Sequence, residues 1–182
     1  AEGAAVGTGT EMSYEVIHGN HSVLANETLA RAMHDRLQQV GGVQYSPSDL
    51  AFANTLAESL ARSEGDLAAA AARIEPFAPS RSMGSTDVGD VSWVVPTTEM
   101  RAATWVPGTA PHTWQAIAAG GTDIGVKGMM VAAKTLALTA ADLLQQPELL
   151  RAARSEFEQR RGADFTYRPL LGEREPPLDY RK

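Results

Sequence analysis

Four histidines and no cysteine leave imidazole and carboxylate as the strong metal donors available to this chain. His112 has the most constrained setting. It follows the loop Pro107-Gly108-Thr109-Ala110-Pro111 and precedes a helix start at Thr113, a position that holds a side chain at the rim of a fold. A neutral imidazole there suits Zn or Mn, and a helix-capping or core histidine is the competing reading. Asp87 and Asp90 lie three apart in the glycine-rich stretch 84–93. Such carboxylates can bind a metal, orient a histidine, or cap turns. His18 and His21 flank a turn at Gly19-Asn20; their spacing brings imidazoles together on a helix but need not do so at a strand end. His34 falls on the polar side of an amphipathic helix, an exposed structural position. Ser85 and Ser92 have no histidine nearby in sequence, and neither a G-x-S-x-G elbow nor an H-E-x-x-H pair occurs.

These residues sit in a chain of 182 residues, 43% hydrophobic and 21% charged, a balance that suits one ordinary globular domain. A net charge of -6 argues against nucleic acid as a partner, because phosphate binding wants a basic face. Lys127, Lys134 and Asp142 interrupt the longest apolar stretch, which argues against a membrane span. Residues 1–10 are small and glycine-rich, without the basic and apolar segments of a secretory signal. The expectation is a cytoplasmic chain that is a piece of a longer protein.

The elements that must position the candidates follow from period and punctuation. Residues 1–9 suit the end of a helix running into a turn. Met12, Tyr14, Val16 and His18 alternate in the manner of a strand. Asn26 caps a helix to about Val40, ended by Gly41-Gly42, and Ser46-Pro47 with Asp49 opens a second one carrying Phe52, Leu56 and Leu60. Residues 68–72 favour helix, residues 80–90 are loop, and the apolar runs 91–95 and 101–106 suit buried strands. A short helix with Trp114, Ile117 and Ala118 on one side ends at Gly120-Gly121. A long one capped by Asp123 has Met129, Ala133, Leu136, Ala140 and Leu143 as its apolar face, and Pro147 opens the last, with Leu150, Ala153 and Phe157. A polar tail follows Gly162 and carries Pro176-Pro177. Helices alternating with a few strands read as α/β.

Three stretches carry a family resemblance: GSTDVGDVSWVVP at 84–96, GTAPHTWQ at 108–115, and Lys127-Gly128-Met129 with Ala132-Ala133-Lys134. Together with Asp142-Leu143-Leu144, Pro147-Glu148-Leu149 and Glu156-Phe157, the chain resembles the C-terminal part of the aminoacylase and carboxypeptidase G metallopeptidases. The resemblance implies the C-terminal half of a mixed-sheet, di-metal catalytic domain flanked by helices. Residues 1–25 would be the end of an inserted lid or dimerisation domain, including its last strand, and 26–182 the catalytic part. It implies two Zn or Mn ions, His112 as a ligand to one of them, and Asp87 and Asp90 ordering the ligands from behind. Lys127 would contact a substrate anion near a helix N-terminus, or be a solvated helix charge. The family's H-x-D pair, its Glu-Glu pair with the general base, and its further His or acid have no counterpart here. The implied activity is hydrolysis of an amide bond in N-acyl amino acid or aminobenzoyl-glutamate-like small molecules. The implied partner is the N-terminal half of the catalytic domain, within a homo- or hetero-oligomer. A non-catalytic binding or assembly subunit on the same scaffold is the alternative.

Overall fold

The computed structural model describes residues 1–62, 65–79, 84–172, 175 and 178–179. Residues 80–83 of the expected loop and the tail prolines Pro176 and Pro177 lie outside the described residues. Eight helices run in order among the described residues: α1 Glu2–Thr8, α2 Glu27–Val40, α3 Pro47–Ala57, α4 Leu67–Ala72, α5 Val88–Ser92, α6 Trp114–Gly120, α7 Asp123–Gln145 and α8 Pro147–Arg161.

The expected α/β architecture, with its mixed sheet and lid strand, is corrected by this arrangement. Among the described residues the one β contact is an isolated parallel bridge between Ala25 and Thr97. A strand exists only where a neighbour accepts its backbone hydrogen bonds, and none of the three apolar runs meets such a neighbour. Residues 10–24 are irregular, with Tyr14 and Val16 exposed. The run 91–95 is divided between the end of α5 and a turn, where Val94 and Val95 N–H groups bond back to the Val91 carbonyl. Residues 101–106 are irregular, though Val106 is buried. Alternation marked segments able to pair, and pairing itself lies beyond the local pattern.

The helices form where their caps require. Ser46 and Asp49 make a reciprocal capping box with Pro47 in the first turn of α3. Asp66 caps α4, and Thr122, one residue before the expected Asp123, caps α7. One core joins Ala53 and Leu56 of α3, Leu67 of α4, Val106, Ala119 of α6 and Ile124 of α7. α2, α7 and α8 pack together beside it, burying Leu29, Met33, Ala153 and Phe157.

α7 is long and apolar enough, by length and composition alone, to cross a bilayer, despite the interruptions at Lys127, Lys134 and Asp142. Two of those charges are engaged with the protein. Asp142 accepts two hydrogen bonds from the Arg36 guanidinium of α2, at 2.5 and 2.6 Å, and one from Gln146. Lys127 is ion-paired to Asp49 of α3. The inward side of α7 carries Gly128, Thr135 and Thr139. A Cβ at Gly128 would lie 2.5 Å from the Ala103 carbonyl oxygen, so the close approach of residues 103–104 needs glycine there.

The start of α2 is the most heavily bonded point. Asn26 is buried; its side-chain oxygen accepts from the Leu29 N–H, its amide donates to the Ala153 carbonyl at 2.8 Å, and its own N–H donates to Thr97. The Glu156 carboxylate of α8 accepts from the N–H groups of Glu27 and Thr28 and from the Thr28 hydroxyl. Burial opposes the charge on Glu156, but these bonds and Arg160 hold its carboxyl below the usual range. Replacing Asn26 with Ala removes one cap and the side-chain bond that ties α2 to the Ala153 carbonyl of α8. The expected cost is about 2 kcal/mol, read as a lower urea midpoint at unchanged slope.

Candidate functional site

His112 lies exposed in a pinned loop. Its φ of 61° is the left-handed region, the one positive φ outside glycine among the described residues. Such a conformation is disfavoured for a side chain with a Cβ, by about 1 kcal/mol or more. Hydrogen bonds on either side of His112 hold the loop. The Thr109 N–H bonds the Val106 carbonyl, the Thr113 hydroxyl donates to the Ala110 carbonyl at 2.8 Å, and Gln115 donates to the carbonyl and hydroxyl of Ser59. Gly108, at φ 90°, packs against the Arg62 carbonyl where a Cβ would lie 2.5 Å away. The GTAPHTWQ stretch is therefore a rigid mount: Thr113 caps α6, Gln115 ties it to the end of α3, and the imidazole between them stands in solvent. Trp114 and Ile117, expected on the packed side, are exposed, and α6 buries Ala116 and Ala119 instead.

The other expected site residues are placed apart from it. Asp87 is exposed at the start of α5 without capping through its side chain. Asp90 accepts a 3.0 Å hydrogen bond from the Tyr167 hydroxyl. Lys127 is paired with Asp49, whose carboxylate is almost fully buried and also accepts from the Ser46 N–H and hydroxyl. Its charge is thus matched within the fold by Asp49, and its side chain is partly solvated. Lys127 first, then the Ser46 groups, holds the Asp49 carboxyl down at about 2 against the burial that opposes its charge. Among the described residues no three His, Asp or Glu side chains gather into a group that could hold a metal ion. The residues present do not by themselves fit a metal centre.

The structure does bring together a cluster that sequence reasoning missed. His21 Nε2 lies 3.0 Å from the Arg168 carbonyl, and its ring is surrounded by Trp93, Phe165 and Tyr167 at centroid distances of 5.6 to 6.2 Å. Trp93 stacks on Phe165 at 4.4 Å and donates its indole N–H to the Ser22 carbonyl. Ser92, fully buried, accepts from the Leu24 N–H and donates to Gly89. Gly89 itself abuts the His21 carbonyl so closely that a Cβ has no room. GSTDVGDVSW is thus a docking turn for residues 19–24 and for the tail. Phe165 and Tyr167, two aromatics two positions apart in the tail, were the available signal.

The chain is similar to the B-type subunit of p-aminobenzoyl-glutamate hydrolase from Escherichia coli (strain K12). Identity is 32% over 183 aligned positions, which cover 87% of this chain and 38% of the relative. The chain therefore spans well under half the length of the curated relative it matches. No family model matches the chain, and no solved structure matches it.

Two outcomes follow from the site geometry. His112→Gly removes the strained Cβ and should leave thermal stability unchanged or raise it by up to about 1 kcal/mol, whereas a fall would mean that the imidazole packs. Asp49, depressed from 3.8 to about 2, contributes stability that is fully present above pH 4 and is lost as pH falls towards 2. Lys127→Met should cost about 2 kcal/mol at pH 6, below the usual loss for a buried pair because Lys127 is partly solvated. Melting curves from pH 2 to 6 should show that gap closing below about pH 3.

Proposed function

We propose that this chain is one part of a hydrolase that cleaves the amide bond of p-aminobenzoyl-glutamate or a similar N-acyl amino acid. The observation that carries the reading is the similarity to a p-aminobenzoyl-glutamate hydrolase subunit along 87% of the chain. The rigid mount of His112 supports it. A loop that holds a solvated imidazole in a disfavoured backbone conformation is costly for stability, and strain of that kind collects at functional sites.

Amide hydrolysis needs a positioned water, a group to take its proton, and stabilisation of the oxyanion that forms. In this reading His112 is the group that this chain offers to the reaction centre, as a nitrogen donor to a divalent Zn or Mn ion whose other donors come from a further polypeptide segment. The described side chains do not assemble around such an ion by themselves. Asp90 acts at a distance: by holding Tyr167 it keeps the tail against the turn 19–24. Lys127 serves α3 and α7 through Asp49 and is not assigned to substrate.

The test is a pair of variants in the assembled enzyme. His112→Ala should lower kcat for p-aminobenzoyl-glutamate by at least about a hundredfold, with loss of one bound metal equivalent. His112→Gly should do the same without loss of stability. Full activity and full metal content in either variant would refute the assignment of His112.

A further inference from the structure

α7 has a packed face and an exposed one. The packed side carries Ile124, Gly128, Thr135, Thr139 and the paired Asp142, with Leu138 half-buried, and meets α2, α6 and the loop at 103–104. Of the residues that the sequence marks as its packing face, Met129, Ala133, Leu136 and Ala140 are exposed, and Leu143 is half-buried. Val126, Met129, Met130, Leu136 and Leu144 are all exposed, Leu144 at 85%. Ala133, Ala137 and Ala140 fill the surface between them and are exposed too. At 100° per residue these eight positions form a continuous arc about 120° wide and about 27 Å long. Lys134 lies beyond one edge, and no charged side chain falls between Val126 and Leu144 within the arc. An apolar stripe wider than about 100° is the face that a helix turns to a core.

We infer that this outward face of α7 is the docking surface for the polypeptide that corresponds to the part of the hydrolase relative not matched by this chain. The inference rests on the functional reading above and adds the surface through which it would act. Two observations select that occupant. The relative is covered over 38% of its length, so it has ample further chain to supply a core-facing layer. The arc is also too wide for a seam with one other helix. A paired α7 from a second copy would cover a strip of two rows, whereas an arc beyond 100° is the kind that lies on a sheet or on several helices at once. A contiguous exposed apolar face of this kind is what marks an interaction surface. A bilayer is a poor fit, because the opposite side of α7 is held to α2 by the Arg36–Asp142 pair.

The probe is the portion of the Escherichia coli relative outside the aligned region, tagged and co-expressed with the full chain. Met130→Glu and Ala137→Glu place a charge in the arc; Leu150→Glu places one on exposed α8 as a control. The unsubstituted chain and L150E should co-purify with the probe, whereas M130E and A137E should lose at least tenfold of the complex while keeping the helical signal and melting temperature of the isolated chain. Equal capture of all four forms, or of none, overturns the proposal. So does a dimer of the chain alone that M130E dissolves, or binding to phosphatidylcholine–phosphatidylglycerol vesicles that M130E abolishes. The functional reading fails separately, if the complex forms through α7 but does not hydrolyse p-aminobenzoyl-glutamate.

Discussion

The first turn of α2 is where the chain is tied together. Four N–H groups at a helix start have no partner within the helix, and burying them is tolerable only if something else accepts their hydrogen bonds. Asn26 takes one, and the Glu156 carboxylate, arriving from α8, takes two more. Glu156 is also favoured by the positive end of the α2 dipole, which offsets part of its desolvation. Because Asn26 bonds Ala153 with its amide and Thr97 with its backbone, the same residue aligns α2, α8 and the segment after α5. The position of residues 19–25, and hence of the aromatic cluster around His21, follows from that alignment.

Local rigidity is distributed unevenly in consequence. Around α5 it comes from close approach: Gly89 against the His21 carbonyl, and Ser92 bridging Leu24 to Gly89. Around His112 the loop is held by two local bonds and by the contact of Gln115 with Ser59, with the solvated ring in a backbone region which glycine would occupy more cheaply. A loop built for stability alone would carry glycine or asparagine at that position.

The helices were legible in the sequence because their signals are local. Asn26, the Ser46-Pro47-Asp49 box and Pro147 each mark a terminus to within a residue, and Leu56, Ala153 and Phe157 are buried as their spacing requires. Orientation was not legible. The stripe Met129, Ala133, Leu136, Ala140 and Leu143 has the spacing of a packing face, yet all but the half-buried Leu143 are exposed, because Gly128 and the threonines allow closer contact with α2 and residues 103–104. The strands were lost for a related reason: residues 91–95 and 101–106 have the composition of strands but no partner among the described residues. For the site, His112 stood out from its loop context, and the structure places it exposed at a positive φ, away from the packed core. The pairing of Lys127 with Asp49 joins residues 78 positions apart, which spacing rules do not reach. The cluster of His21 with Trp93, Phe165 and Tyr167 draws on three separate segments and is equally beyond them.

The proposals for the His112 imidazole and for the outward apolar face of α7 meet in one test. The most direct measurement is the NMR signal of the His112 ring nitrogens in labelled chain, titrated with Zn²⁺ before and after addition of the unmatched portion of the hydrolase relative. A shift of that imidazole at stoichiometric Zn²⁺ only when the second polypeptide is present is the result this account requires. A ring that binds Zn²⁺ equally in the isolated chain, or that stays unperturbed in the complex, contradicts it.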